Sequence, residues 1–249
     1  MTMDIYDDLE DRPEALAIPE RALAIGAHPD DIEFGAGGTL AAWAHLGCEV
    51  TMVIVTDGSK GSWDGTIDQA ALIAQRKDEQ LAAAHALGAS HVVHLDHVDG
   101  DLQYSMALRA EMCRQIRLAR PDVLLSHDPW QRYQLHPDHR VTGLAAVDGM
   151  VAAREPLAFP EQGIGHHRPL AMLLWSADEP DHWEDISTGI EAKLAALLCH
   201  VSQGTTTMGG ADQAEAKRDE FMGRIRQWAA DQGSSQRLAA AEAFKRLTP

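Results

Sequence analysis

The chain reads as an α/β protein in which a mostly parallel sheet carries helices on both faces. Short apolar or β-branched runs alternate with longer Ala-rich segments of helical composition. The connections between successive runs are too long for hairpins, so consecutive strands must be joined by crossovers. The 249 residues are 45% hydrophobic and 24% charged. A single domain of that size buries roughly 70–75% of its unfolded surface and needs no disulfide staples.

Residues 1–20, with many charges and two Pro, read as an acidic N-terminal arm, and residues 21–249 as one domain. Leu23–Ala27 (LAIGA) is the first buried strand. Gly35, Gly37 and Gly38 read as a turn ahead of a helix over Gly37–Leu46, which Gly47 stops. Such a turn could cradle a phosphate. It lacks both the GxGxxG spacing and a P-loop Lys, which favours a packing or turn role. Val50–Thr56 (VTMVIVT) is the second strand, Asp57–Asp68 a Gly/Ser/Asp loop, and Gln69–Leu87 a helix ended by Gly88. His91–Leu95 is the third strand, Ser105–Ala119 a helix with Pro121 beyond it, Asp122–Ser126 the fourth strand, and His139–Ala153 a helix. Glu155–Pro169 is long enough for a lid or irregular surface. Leu170–Trp175 is a fifth strand, His182–Ile186 a candidate sixth, and Thr188–Val201 a helix. The remainder reads as two or three helices that cover the domain or form a homo-oligomer contact.

The chain carries 21 Lys+Arg against 38 Asp+Glu, a net charge of −17. A surface this acidic repels phosphate backbones and anionic lipid, so nucleic acid and membranes are excluded as first-choice partners. Cys48, Cys113 and Cys199 lie far apart in apolar stretches and read as buried free thiols. The N-terminus lacks a cationic start followed by an apolar core, and no window holds 18 consecutive apolar residues. The expectation is a reduced, cytoplasmic protein with no membrane insertion.

In open parallel sheets, sites form beyond the carboxyl ends of the strands. Here those ends are followed by His28-Pro29-Asp30-Asp31, by Asp57-Gly58-Ser59, by Asp96-His97-Val98-Asp99, and by His127-Asp128 with His136-Pro137-Asp138-His139 shortly after. Four such turns at one edge point to a polar site. His28 and Asp31 can face one space as an imidazole–carboxylate metal pair, with His139 or His136 as third ligand. Three protein ligands leave a position open for water, beside which Asp30 can act as general base. In HPDH one His can bind metal while the other donates a proton, and the Asp can fix a His tautomer. Taken alone, either segment could instead be a capping turn. Arg76 and Glu79 share a helix face and form either a solvated pair or a reach into the pocket. His45, His85, His91, His94, His166, His167 and His182 have no ligand-like neighbours, and His200 reads as a packing residue. Trp63 and Trp130 lie in site-facing loops.

AHPDDIEFGAGGTL, followed about a hundred residues later by LHPDHR, resembles the PIG-L/LmbE-like family of zinc-dependent N-deacetylases. VTDGSKG at Val55–Gly61, Arg76-Lys77-Asp78-Glu79, and the DIS…HVSQ segment over Asp185–Gln203 add to the likeness, which spans roughly Leu23 to Gln203. The resemblance implies a Rossmann-like three-layer fold and one Zn2+ per chain held by His28, Asp31 and His139. It implies Asp30 as general base, and His136 as the acid that steadies the oxyanion and protonates the amine, with Asp138 orienting it. Arg76 and Asp99 match positions that contact sugar hydroxyls. Gln134 stands where some sugar deacetylases of the family have Tyr, with Tyr133 one residue earlier. The implied substrate is a small N-acetylated sugar of the N-acetylglucosamine type or a conjugate of one. A family amidase acting on a thiol conjugate or N-acyl natural product is the alternative, and a non-catalytic sugar- or nucleotide-binding module is the alternative from another class. Specificity is expected in Asp57–Asp68, Asp96–Tyr104, Trp130–Leu135 and Glu155–Pro169.

Overall fold

The computed structural model describes residues 16–249. Most of the acidic arm over 1–20 thus lies outside the described residues. Its last residues are packed, with Leu16 against the core and Glu20 accepting a hydrogen bond from Glu49 N–H.

Among the described residues seven strands make one sheet. They are β1 (Arg21–Gly26), β2 (Glu49–Thr56), β3 (His91–His97), β4 (Val123–His127), β5 (Ala171–Trp175), β6 (His182–Asp185) and β7 (Ala241–Leu247), in the order β3-β2-β1-β4-β5-β7-β6. The first five are parallel, as their continuous apolar runs require of strands buried on both faces. Alternation splits the core in two. Ala22 and Ala24 of β1 join one cluster with Leu40, Trp43 and Leu87. Leu23 and Ile25 join the other with Met112, Ile116 and Met150. The helices are α1 (Asp31–His45), α2 (Gln69–Leu87), α3 (Met106–Ala119), α4 (Pro137–Arg154), α5 (Ile190–Cys199) and α6 (Glu215–Ser234). None of them is long and apolar enough to cross a membrane. Cys48 and Cys113 are buried, Cys199 is partly so, and all three are free.

Two expectations are corrected and a third is narrowed. α1 begins at Asp31, so Gly35, Gly37 and Gly38 lie inside the helix and form no phosphate turn. Their smallness is for contact: a Cβ on Gly35 would stand 2.5 Å from the Trp175 ring, and one on Gly38 2.7 Å from Ile186. The C-terminal segment read as helical ends in β7, which enters the sheet antiparallel between β5 and β6. β7 carries the buried Glu242, whose carboxylate accepts from the main-chain N–H groups of Gly38 and Thr39 in mid-helix, at 3.0 and 2.8 Å. Lys193 of α5 completes the arrangement at 2.5 Å from Glu242 and 2.7 Å from Phe34 O. Finally, the Glu155–Pro169 segment is irregular surface: Glu161 and Gln162 line a pocket with Val98, Asp101 and Gln103, while its ends pack elsewhere. Leu170 N–H bonds Asp122 O at the start of β4, and Arg117 is spent on the carbonyls of Ala152, Glu155 and Ala158. That is the edge of the sheet opposite the strand C-termini.

Candidate active site

The strand order reverses direction at β1, with β2 on one side and β4 on the other, which places the crevice for a ligand at their carboxyl ends. β1 runs into His28-Pro29-Asp30 and the start of α1. β4 ends at His127. α4 starts at Pro137, a residue suited to a first helical turn, with His136 as its cap.

Three side chains meet there. His28 Nδ1 is 3.1 Å from Asp31 Oδ2, His139 Nε2 is 3.2 Å from His28 Nδ1, and His139 Nε2 is 3.2 Å from Asp31 Oδ1. Ligands about 2.0–2.1 Å from a tetrahedral zinc stand roughly 3.3 Å from one another, close to these separations, although His28 and His139 meet different oxygens of Asp31. On its other side, His28 Nε2 faces Asp138 Oδ2 at 3.2 Å and Asp99 Oδ1 at 3.3 Å. Two carboxylates at Nε2 suit a ring proton there, which would leave Nδ1, beside Asp31, for a metal. Burial opposes charge on His28, yet Asp138, Asp31 and Asp99 push it up to about 12. Asp31 is held well below the usual carboxylate range; burial opposes this, but His139 and His127 outweigh it.

His127 was placed by the sequence at this edge but given no role. Trp175 Nε1 donates to its Nδ1 at 3.1 Å and Ala27 N–H to its Nε2 at 3.2 Å, with Asp31 Oδ2 3.4 Å from the same Nε2. Burial pushes the His127 pKa down to about 4. Asp31, His127 and His139 also lie close enough to share an ion, as do His28, His136 and His139.

Asp30 adopts φ 98, a left-handed backbone that costs a non-glycine residue about 1–3 kcal/mol. Its Oδ2 is buried and accepts no hydrogen bond among the described residues. Burial, opposed by the nearby Arg76, raises its pKa to about 6. That is the range expected of a general base working near neutrality.

The remaining expected residues move. The Asp138 carboxylate bonds His28 and Gly100 N–H (2.7 Å), so it does not orient His136; only its main-chain N–H meets His136 Nδ1, at 3.3 Å. His136 packs its ring 4.5 Å from His28 and 4.9 Å from His139. Arg76 is 2% exposed, and its guanidinium is committed to Pro29 O (2.6 Å) and Gly58 O (2.9 Å), which is no posture for gripping a sugar. Nor is it half of a solvated pair: Glu79 is also buried and accepts from Ser202 N–H and Oγ–H. Asp99 lies against His28 and accepts from Lys60 N–H at 3.0 Å. His200, read as packing, is fully buried 3.7 Å from Glu33, behind Asp30. Tyr133 is 86% exposed and, with Trp63 and Trp130, belongs to the outer surface of the loops. A pocket of about 480 Å³ adjoins the triad, lined by Asp31, His127 and His139 on one side and Phe34, Trp175 and Trp228 on the other.

The chain is similar to known proteins in sequence and fold. The profile of the PIG-L family, described as GlcNAc-PI de-N-acetylase, matches residues 23–150, which takes in both His/Asp segments. The diacetylchitobiose deacetylase of Thermococcus kodakarensis is 34% identical over 187 residues, covering 74% of this chain and 70% of that one. A 1D-myo-inositol 2-acetamido-2-deoxy-alpha-D-glucopyranoside deacetylase of Rhodococcus erythropolis is 27% identical over 80% of this chain and 86% of its own. The structure of N,N'-diacetylchitobiose deacetylase from Pyrococcus horikoshii superposes with a TM-score of 0.82 at 28% identity, over 92% of this chain and 84% of that one. The fold, the two motifs in their order and these likenesses together make the chain a member of the PIG-L family of N-deacetylases.

Proposed function

We propose that the protein removes the acetyl group from an N-acetylglucosamine-type sugar, with one zinc ion held by His28, Asp31 and His139 and with Asp30 as general base. The convergence of those three side chains beside a buried carboxylate whose Oδ2 has no hydrogen bond and only the more distant Arg76 Nη2, at 3.9 Å, carries the reading. The named activities of the Thermococcus and Rhodococcus relatives support the substrate class. When bound, the ion supplies Lewis-acid polarisation of the acetyl carbonyl and lowers the pKa of water at the open position. Asp30 takes the proton from water as its oxygen attacks the carbonyl carbon. His136 keeps Nδ1 on Asp138 N–H, and burial, with His28 and His139 beside it, holds its pKa below the ordinary value. It therefore serves as a neutral Nε2–H donor to the developing oxyanion. The C–N bond then breaks, and the proton held by Asp30 passes to the departing amine, so that amide and water become acetate and amine. His136 thus fills the oxyanion half of its expected role and Asp30 fills the acid half. Phe34, Trp175 and Trp228 give the pocket an aromatic wall against which a sugar can pack.

The test is acetate release from N,N'-diacetylchitobiose and from N-acetylglucosamine, set beside bulkier amides, with metal content measured on the same samples. The expectation is about one zinc per chain, preference for the acetylated sugars, and loss of both metal and activity in His28→Ala and His139→Ala. Unchanged metal content in those variants would refute the ligand set.

A further inference from the structure

The Pro29–Asp30 peptide is held from both ends by one helix. Its carbonyl, Pro29 O, accepts from Arg76 Nη2 at 2.6 Å, and its N–H, on Asp30, donates to Gln80 Oε1 at 3.2 Å. Arg76 and Gln80 lie four residues apart on α2 and so share a face. Both are buried, at 2% and 0% exposure. Gln80 cannot turn its amide around freely, because its Nε2 donates to the buried Glu33 Oε1 at 2.6 Å. Arg76 is fixed in turn by Gly58 O at 2.9 Å.

The polarity of this grip bears on Asp30. Its φ of 98 is unfavourable for a side chain-bearing residue, and a flip of the preceding peptide plane would return it to ordinary negative φ. A flipped plane would present its carbonyl to Gln80 Oε1 and its N–H to the guanidinium. Both contacts would then be like against like, between groups buried from solvent. We propose that Arg76 and Gln80 are positioning residues that clamp the Pro29–Asp30 peptide and hold Asp30 in the left-handed backbone from which it acts as base, with Glu33 setting the orientation of Gln80. The proposal rests on the reading of Asp30 as general base. It gives Arg76 a part in the reaction that requires no contact with substrate.

The test uses metal-loaded enzyme and N,N'-diacetylchitobiose. Gln80→Met keeps the bulk and removes the acceptor. It should lower kcat by about 10- to 100-fold, the population cost of a released left-handed residue, with KM and metal content near wild type. In an Asp30→Ala background the same substitution should add almost nothing, since the group it positions is gone. The exchange Glu33→Gln with Gln80→Glu keeps an acceptor towards Asp30 N–H and a donor between the two side chains, so it should recover most of the lost kcat. Wild-type kcat in Gln80→Met, or an equal further loss in the Asp30→Ala background, would overturn the clamp. If Gln80→Met does not fold, the exchange variant decides: retained activity supports the clamp, and a folded but inactive protein overturns it. Wild-type turnover in Asp30→Ala alone would overturn the reading of the base, and the clamp with it. Loss there with a silent Gln80→Met would overturn the clamp only.

Discussion

His-Pro-Asp occurs twice in this chain, at residues 28–30 and 136–138, and the two copies are used in opposite ways. In the first, the histidine faces the centre and the aspartate is left without a hydrogen bond on Oδ2, buried, with its pKa raised to about 6. In the second, the histidine caps a helix at the edge of the centre. Its aspartate, fully buried as well, accepts from His28 and from Gly100 N–H; burial opposes it, but these partners hold its pKa below the ordinary value. Burial alone therefore does not assign a role. Each carboxylate keeps one buried oxygen without a hydrogen bond, Asp30 Oδ2 and Asp138 Oδ1, and the proposed division into base and brace rests on the other oxygen of Asp138, which meets His28 and Gly100 N–H.

The largest effect that could break this contrast is on turnover. Asp30→Ala should lower kcat on the order of 10²–10⁴-fold, read by acetate release, with metal retained. Glu242 extends the contrast to a carboxylate with a cation as well as N–H donors. Lys193→Met strands that charge in the core and should cost about 3–5 kcal/mol in denaturant unfolding. Asp138→Asn should weaken metal affinity by about 10–100-fold in a chelator competition, because it loosens the His28 ring without removing a ligand. The smallest effect belongs to the loop at the opposite edge: Leu157→Ser, at an exposed position, should leave kcat/KM within about twofold of wild type.

The sequence carried the site more fully than it carried the site's supports. β-branched and apolar runs located β1, β2, β4 and β5, and the turns that follow them held His28, Asp30, Asp31 and His139. Two segments misled for local reasons. Gly35, Gly37 and Gly38 look like a helix breaker, but the bulk of Trp175 and Ile186 demands small residues inside α1. Ala241–Leu247 has the composition of a helix, yet the slot between β5 and β6 and the burial of Phe244 make it a strand. Gln80 and Glu242 carried no signal, because nothing local distinguishes a polar residue that turns inward from one in solvent; Glu33, Lys193 and His200 fell inside segments of the family likeness but were given no part in the site. His127 carried a signal, its place at the end of β4, and it lies against Asp31 and Trp175.

The most direct test sets the two aspartates side by side. Zinc content and kcat are measured on Asp30→Ala and Asp138→Ala, purified identically and titrated with limiting zinc. The account predicts that Asp30→Ala binds zinc like wild type and turns over about 10²–10⁴-fold more slowly. It predicts that Asp138→Ala needs about 10–100-fold more free zinc to fill and recovers activity as it does. Asp30→Ala that loses its zinc, or keeps wild-type turnover, would contradict the assignment of base and brace.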